Sequence, residues 1–283
     1  GLRLADMAGR YRATVKTIEK PWGEWFSLDE LEAALIEHKP AILALVHAET
    51  STGVCQPMDG VGDLCRKHDC LLLLDTVTSL GGVPLYIDEW KVDLAYSCSQ
   101  KGLSCPPGLG PFTMGPRAEE KMASRGGKVP NWYLDVSLLN QYWGSDRVYH
   151  HTAPVNMNFG MREALRLLAE EGLDQAWARH RRNAERLWSG LERQGLSMHV
   201  PEERRLPTLT TVRIPDGVDG KAFSQHLLNT HGIEVGGGLG SLAGKIWRIG
   251  LMGYNSTPEN VDRLLNLFET ELPRFSGSVA AAA

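Results

Sequence analysis

The feature that most constrains the fold is a run of four leucines, residues 71–74, that ends at the carboxylate of Asp75. A continuous apolar run of this length is typical of a strand buried on both faces of a parallel sheet. A second predicted strand, residues 92–97, is followed shortly by Lys101. Because open parallel sheets bind ligands at the carboxyl ends of their strands, we expect Asp75 and Lys101 at one functional edge.

An acid and an amine at such an edge suit pyridoxal phosphate as a cofactor. The amine of Lys101 would hold the aldehyde as a Schiff base, and the carboxylate of Asp75 would pair with the protonated pyridine nitrogen. Taken singly, each residue has an ordinary interpretation: Lys101 is a solvated loop lysine, and Asp75 caps the following helix. Their order on consecutive strands favours the cofactor hypothesis over these alternatives.

Composition argues against several classes of partner. The net charge of −4 gives no indication of nucleic acid binding, and no apolar run approaches the ~20 residues of a membrane span. The five cysteines are odd in number and form no C-x-x-C pair, which predicts free thiols in a reducing compartment. The neighbouring His150 and His151 would point to opposite sides of an extended chain and chelate poorly, so we predict no metal site.

The pattern of apolar residues predicts two domains, residues 1–170 and 171–283. The first alternates strands and helices, which indicates an α/β unit with a mostly parallel sheet. It includes a buried strand at 41–46, a helix opened by a capping box at Ser27, and an edge strand at 109–114 that contains Pro111. A long amphipathic helix, residues 161–191, is expected to break near Gly172.

The second domain is predicted as a smaller α+β unit. Its pattern gives strands at 208–214, 232–235 and 245–251, a helix at 221–230, and a last helix from Thr257. The glycine-rich segment 236–240 lacks the spacing of a nucleotide-binding loop and is interpreted as a connection between strands. The alanine-rich end, residues 278–283, is interpreted as a disordered tail without a peroxisomal signal of the S-K-L type.

Three further residues are candidates for ligand contacts. Arg248, within a predicted strand, is either an exposed residue of the pleat or a bidentate clamp for the carboxylate of an amino acid. The hydroxyls of Tyr149 and Thr152 are placed to reach a phosphate. The local pattern leaves these alternatives open.

The chain closely resembles the alanine–glyoxylate (serine–pyruvate) aminotransferases, which are fold-type I, class V pyridoxal-phosphate enzymes. The resemblance extends over essentially the whole chain, including the glycine-rich segment and the Arg248 strand. It rests on residues 75–82 (DTVTSLGG), 99–101 (SQK), 49–54 (ETSTGV) and 149–152 (YHHT).

The resemblance implies a role for each matching position. Lys101 resembles the Schiff-base lysine that also moves the proton at the substrate α-carbon, and Asp75 resembles the acid on the pyridine nitrogen. Val77 would pack beneath the ring and Gln100 would contact the phosphate. Tyr149 and Thr152 would reach the phosphate of the neighbouring subunit in a homodimer. Arg248 would be the clamp for the substrate carboxylate. Thr50, at a substrate-binding position, stands where the family usually has serine.

Members of the family carry a longer segment before the position that matches Gly1. In them this segment supplies the helix N-terminus that cradles the phosphate, the aromatic ring stacked on the cofactor and much of the dimer contact. The resemblance therefore implies an incomplete large α/β domain with a small C-terminal α+β domain, in a fragment or an alternative isoform. We expect such a chain, expressed alone, to bind pyridoxal phosphate weakly and to show little activity. We also expect it to aggregate, because strands such as 41–46 would lose part of their cover and expose leucine and isoleucine side chains.

The function implied by the resemblance is transamination of small molecules, from alanine or serine to glyoxylate or pyruvate. This would serve glyoxylate detoxification inside the cell, in the peroxisome or the mitochondrion. Two alternatives stay open. One is a related class V transaminase with a bulkier donor such as 3-hydroxykynurenine, and the other is a catalytically silent, truncated subunit.

Overall fold

A computed structural model describes residues 1–277, so the predicted tail at 278–283 lies outside the described residues. Within that range the helices are α1 (Leu2–Arg10), α2 (Leu28–His38), α3 (Val61–Lys67), α4 (Pro116–Ala123), α5 (Val136–Trp143), α6 (Val155–Glu171), α7 (Leu173–Arg193), α8 (Gly220–His231) and α9 (Pro258–Glu271). The strands are β1 (Ile42–Val46), β2 (Ala48–Glu49), β3 (Val54–Cys55), β4 (Leu71–Asp75), β5 (Leu94–Tyr96), β6 (Phe112–Met114), β7 (Leu209–Arg213), β8 (Gly236–Gly237) and β9 (Ile246–Gly250).

The larger sheet has the strand order β1-β4-β5-β6. Strands β1, β4 and β5 are parallel and β6 is antiparallel, which confirms the prediction of a mostly parallel sheet. The register aligns Val46, Asp75 and Tyr96 side by side. The carboxyl ends of three parallel strands therefore meet at one edge, and Asp75 lies in the middle of it.

Helices α2 and α3 belong to the aliphatic core of this sheet. Leu31 and Leu35 of α2 are fully buried in one cluster with Leu72 and Leu74 of β4. The predicted capping box is confirmed, because Ser27 Oγ accepts a hydrogen bond from the N–H of Glu30 and the Glu30 carboxylate accepts one from the N–H of Ser27.

The outer strands of the larger sheet are partly exposed. The apolar pattern predicts a buried strand at 41–46, whereas the resemblance implies that this strand lacks part of its cover, and Ile42 of β1 is 46% exposed. The reason is its place in the sheet, because within residues 1–277 β1 pairs on its β4 side only. At the other edge, β6 lies where Pro111 predicts an edge strand, and Phe112 is 49% exposed.

The long amphipathic helix is broken at Gly172, as predicted, into α6 and α7. Arg179 spans the break, with its guanidinium donating to the Glu171 carboxylate at 2.5 and 2.8 Å. The same guanidinium donates to the carbonyl oxygens of Gly253 and Ser256. Helix α7 is thereby fastened to the last part of the chain. The boundary between residues 170 and 171 stays a prediction.

The smaller sheet is antiparallel, with the order β7-β9-β8. The strand predicted at 232–235 is wrong: Gly232 ends α8 in the left-handed conformation, with φ at 66°, and the strand lies within the glycine run at β8. A glycine in this conformation terminates a helix rather than starting a strand. The N-cap predicted at Thr257 is confirmed, because its hydroxyl accepts from the N–H of Asn260.

Threonine hydroxyls join the two sheets. Thr208 Oγ1 donates to the carbonyl oxygen of Thr78 at 3.0 Å, and Thr211 Oγ1 donates to that of Thr52 at 2.7 Å. All four threonines are buried. These bonds hold β7 against the loops that follow β2 and β4, and so bring the strand that carries Arg248 to the functional edge of the larger sheet.

Candidate active site

Asp75 lies at the carboxyl end of β4 with both carboxylate oxygens oriented by hydrogen bonds. Oδ1 accepts from the N–H of Val77 at 2.9 Å, and Oδ2 accepts from the phenolic hydroxyl of Tyr96 at 2.6 Å. Burial, and secondarily the bond to Asp75, raises the pKa of Tyr96 well above its ordinary value, so the phenol stays protonated and keeps donating. The carboxylate is thus held in a fixed orientation and is not a helix cap.

Lys101 follows β5 and is half-buried. Its ammonium group makes no hydrogen bond or ion pair within residues 1–277, while its carbonyl oxygen accepts from the N–H of Ser104 at 3.0 Å. Burial raises the pKa of the nearby Cys98 thiol, and the charges of Lys101 and Asp75 act on that thiol in opposite directions. The amine and the acid are therefore both close enough to act electrostatically on one side chain.

The loop after β5 is packed directly against the loop after β4. A Cβ atom added to Gly102 would lie 2.3 Å from the carbonyl oxygen of Leu80, which leaves room only for glycine. This close approach of two backbones restricts the segment that carries Lys101. The loop that carries Lys101 is therefore held against the loop that follows Asp75.

Two other predicted cofactor contacts lie beside this pair in the chain. Val77 donates its N–H to Asp75 and has a half-buried side chain. Gln100 is exposed, and its amide makes no hydrogen bond within the described part of the chain. An amide without a protein partner remains available to an external acceptor such as a phosphate.

The predicted hydroxyl pair is formed. Tyr149 Oη and Thr152 Oγ1 lie 3.1 Å apart, and the Tyr149 side chain is 73% exposed. Neither hydroxyl makes a hydrogen bond with Asp75 or Lys101. Within one chain these groups face outward rather than join the acid–amine pair.

Around Tyr149 lies a cluster that we call the aromatic surface, made of Trp132, Tyr133, Trp143 and Tyr149. Their side chains are between 52% and 73% exposed. The buried His150 stacks on Trp132 at 4.1 Å, and His151 lies edge-on to Tyr133 at 5.1 Å. Exposed aromatic groups gathered in this way mark an interaction surface.

Arg248, at the centre of β9, is half-buried and has no acidic partner within residues 1–277. Its Nε donates to the carbonyl oxygen of Gly237 at 2.7 Å, and Nη1 donates to that of Thr50 at 3.3 Å. Nη2 makes no hydrogen bond to the described residues. The guanidinium is therefore oriented by backbone carbonyls, keeps its charge free for a carboxylate, and lies against the predicted substrate residue Thr50.

Sequence reasoning missed Tyr96 as a member of the site. Its hydroxyl provides the shortest hydrogen bond to Asp75, because the two residues are in-register neighbours on parallel strands. The spacing of the two strands contains this information, but using it requires the register, which the sequence does not show.

Comparison with known proteins identifies the family. The model of the class-V aminotransferase family matches residues 2–264. The chain belongs to the class-V aminotransferases. It is 45% identical to the alanine–glyoxylate aminotransferase of mouse over 268 residues, which are 93% of this chain and 65% of the mouse protein. It is 37% identical to the (S)-ureidoglycine–glyoxylate transaminase of Bacillus subtilis, covering 99% of this chain and 72% of that protein.

The solved structures agree with this placement. A crystal structure of alanine–glyoxylate aminotransferase from Nostoc sp. superimposes with a TM-score of 0.93 at 67% identity, over 95% of this chain and 71% of that chain. The fold is therefore that of the fold-type I aminotransferases, and the cofactor of this family is pyridoxal phosphate. The chain spans about two thirds of the length of its relatives. In the described part of the chain, no helix is both long enough and apolar enough to cross a bilayer.

The side chains at the sheet edge fit this cofactor. Asp75 offers a carboxylate that is already oriented by two donors, which is what a protonated pyridine nitrogen requires. Lys101 offers an amine that no acid within residues 1–277 neutralises or blocks, which is what an aldehyde requires. The donor set is thus the one that the cofactor needs, at the edge where the fold binds ligands.

Proposed function

We propose that this protein is a pyridoxal-phosphate-dependent aminotransferase that moves the amino group of alanine or serine to glyoxylate or pyruvate. The observation that carries the proposal is the edge of the larger sheet, where the Tyr96-oriented Asp75 and the unpaired Lys101 follow adjacent parallel strands. The likeness to relatives named alanine–glyoxylate aminotransferase supports the choice of substrates.

Each residue of the edge has a role in this proposal. The cofactor, when bound, supplies an electron-withdrawing ring that stabilises negative charge at the substrate α-carbon. Asp75 would keep the ring nitrogen protonated, and Lys101 would hold the aldehyde carbon and move the proton at the α-carbon. Val77 would pack against the ring. Gln100, with its unpaired amide, would donate to the phosphate.

Arg248 and Thr50 would bind the amino acid. A guanidinium whose Nε and Nη1 are fixed by carbonyl oxygens presents Nη2 in one orientation, which suits a planar carboxylate. Thr50 would lie beside that carboxylate, because the backbone carbonyl oxygen of Thr50 already accepts a hydrogen bond from Arg248. Its hydroxyl would then be close to the substrate. Two small apolar or hydroxylated donors, alanine and serine, suit this arrangement.

The proposal includes a homodimer in which Tyr149 and Thr152 reach the phosphate bound by the partner subunit. Their outward orientation and the exposed aromatic surface around them support this arrangement. Sedimentation at micromolar concentration should give a dimer. A monomer that retains full activity would contradict the shared site.

The free cysteine thiols are the basis for the proposed cellular compartment. All five cysteines are free, which supports a reducing compartment. With glyoxylate as acceptor, this supports glyoxylate detoxification in the peroxisome or the mitochondrion. Fractionation of cells, with activity found in neither organelle, would contradict it.

The substrate proposal is tested by a donor profile of the protein purified at its natural length and loaded with the cofactor. Alanine, serine, (S)-ureidoglycine and 3-hydroxykynurenine are each paired with glyoxylate and with pyruvate. We expect the highest kcat/KM for alanine with glyoxylate. Preference for 3-hydroxykynurenine or (S)-ureidoglycine would replace the donor but keep the reaction class, while absence of turnover with a bound cofactor would favour a silent subunit.

The expectation that residues 1–283 alone bind pyridoxal phosphate weakly stays a prediction. It is tested by titrating that chain with the cofactor, following the absorbance and then assaying pyruvate release. A tight yellow dimer with normal turnover would contradict it.

A further inference from the structure

A cluster of three metal-ligating side chains lies in the smaller domain and takes no part in the site described above. It consists of His226 and His231 of α8 and Glu271, the last residue of α9. One ligand atom of each residue lies within 4.8 Å of the others. His226 Nε2 is 3.1 Å from Glu271 Oε2, and the two imidazole rings are 5.4 Å apart at 78°.

The imidazole of His226 is oriented by a second contact. Its Nδ1 lies 3.2 Å from Thr230 Oγ1, one helical turn away. When Nε2 donates to the Glu271 carboxylate, Nδ1 accepts from this hydroxyl. When a cation takes the place of the Nε2 proton, Nδ1 carries the ring hydrogen and donates to the hydroxyl. Metal-bound histidines in proteins are oriented in this way by a hydrogen bond at the other ring nitrogen.

His231 provides the observation that a simple ion pair between His226 and Glu271 does not explain. Its Nε2 is buried and has no hydrogen-bond partner within residues 1–277. A buried ring nitrogen without a partner is costly unless something else binds it. The third member of the cluster therefore has an unmet requirement, and it lies next to two other metal-ligating groups.

Glu271 retains capacity for a ligand. Arg274 donates to its Oε2 at 2.5 Å, but the Arg274 side chain is 65% exposed, so the ion pair is on the solvent side. Oε1 makes no hydrogen bond among the described residues. A cation can therefore bind Glu271 through Oε1 while Arg274 stays on Oε2.

We propose that His226, His231 and Glu271 bind one divalent transition-metal ion, with zinc the best match. Two imidazoles and one carboxylate are a common zinc ligand set, and a water molecule completes the tetrahedron. Because the ligands come from the C-terminal half of α8 and the last residue of α9, the ion would fasten these two helices together. The role is structural and does not depend on the proposed transamination.

The test is a zinc titration of the metal-free protein, purified without a polyhistidine tag and competed against a chromophoric chelator. We expect one zinc ion per chain. His231→Gln and His226→Gln should each weaken the affinity at least tenfold, and Thr230→Val should weaken it by about tenfold, the size of effect expected when a ligand's orienting partner is lost. Zinc should raise the Tm of the wild type and leave that of His231→Gln unchanged.

His68→Gln is the matched control. His68 Nε2 lies 3.0 Å from Glu32 Oε1, so the substitution removes a comparable histidine–glutamate contact. Within the described part of the chain, that contact is not part of a cluster with a second histidine. Its zinc affinity should equal that of the wild type. Circular dichroism with EDTA present should show that all variants are folded, and Co²⁺ in place of zinc should give the strong visible absorption of a tetrahedral site.

Absence of zinc binding in the wild type would overturn the proposal. So would binding that survives His231→Gln, which would point to the free thiols, or a loss in His68→Gln equal to that in His231→Gln. Because all these readouts are independent of pyridoxal phosphate, they stand whether or not the protein is a transaminase.

Discussion

The two sheets of this molecule differ in what their side chains do. The larger sheet has an aliphatic core, exposed outer strands and polar side chains at the ends of its parallel strands. Beside the smaller sheet three rings form a closed aromatic core: Phe223, Trp247 and Phe268 are each at most 1% exposed and lie 5.0 to 5.5 Å apart, edge to face. The proposed cofactor residues thus belong to the first sheet, and the tightest aromatic packing surrounds the second, which also carries Arg248.

The largest expected effect is a loss of activity in a variant that still folds. Lys101→Ala should abolish turnover, because both the attachment point of the cofactor and the proton carrier are lost. The free energy of unfolding should change little, since the ammonium makes no hydrogen bond or ion pair within residues 1–277. Lys91→Ala, which removes a lysine paired with Asp63, is the control and should retain activity. Turnover in Lys101→Ala would contradict the assignment.

The next largest effect is on the stability of the fold rather than on catalysis. Trp247→Ala should lower the free energy of unfolding by about 3–5 kcal/mol, because it empties the aromatic core. It also leaves the carbonyl oxygen of Gly220 without the indole N–H that donates to it at 3.0 Å. Urea unfolding followed by circular dichroism measures the change. A loss below about 1 kcal/mol would show that the aromatic core beside the smaller sheet contributes little to stability.

The pH dependence of stability tests a buried histidine of the larger sheet, His47, which follows β1. Burial lowers the pKa of His47 to about 4, and its Nδ1 is buried without a partner among residues 1–277. Because the pKa is lower in the folded state, the neutral form is favoured there, and stability present above pH 6.5 is lost as the pH falls toward 4. The loss should be about 3 kcal/mol.

The control for this titration is His47→Gln, compared with the wild type by urea unfolding between pH 4 and 7. Burial also lowers the pKa of His180 and of His199, so the wild type should lose stability through all three histidines and the variant through His180 and His199. Parallel curves for the two proteins would contradict the role of His47.

Arg248 lies where the two sheets meet, so its effect should fall on binding. Arg248→Lys keeps the charge and loses the planar fork, and should cost about 2 kcal/mol of substrate binding, roughly thirtyfold in KM for alanine. The absorbance of the bound cofactor should not change. Arg213→Lys, in the exposed last residue of β7, is the control. An unchanged KM would make Arg248 an ordinary residue of the pleat.

The smallest expected effect is at the outer strand of the larger sheet. Ile42 is 46% exposed, so Ile42→Ala should lower the free energy of unfolding by only about 1 kcal/mol or less. The difference from Trp247→Ala measures the contrast between the sheets directly. A cost near that of Trp247→Ala would mean that β1 is covered in solution.

How far the sequence predicted the structure depends on how local each signal is. The capping box at Ser27, the N-cap at Thr257 and the break at Gly172 involve neighbours in the chain, and all three were predicted. The acid and the amine were predicted because parallel strands bring their carboxyl ends together. The strand predicted at 232–235 was wrong because an apolar pattern does not show that Gly232 ends a helix.

Contacts between distant segments were missed for a different reason. Tyr96 joins Asp75 only through the register of two strands, 21 positions apart in the chain. Glu271 reaches His226 across 45 positions, and neither residue belongs to a recognisable spacing. Side-chain clusters of this kind depend on tertiary packing, which the pattern of one segment does not contain.

The most direct test of the central claim is to reduce the cofactor-loaded protein with borohydride and to map the pyridoxyl group by mass spectrometry. The account predicts that the label lies on Lys101, whose amine has no partner among the described residues and follows β5 at the edge of the larger sheet. Lys91, which is paired with Asp63, and the exposed Lys245 should remain unlabelled. A label on Lys91 or Lys245, with Lys101 unmodified, would contradict the proposed site.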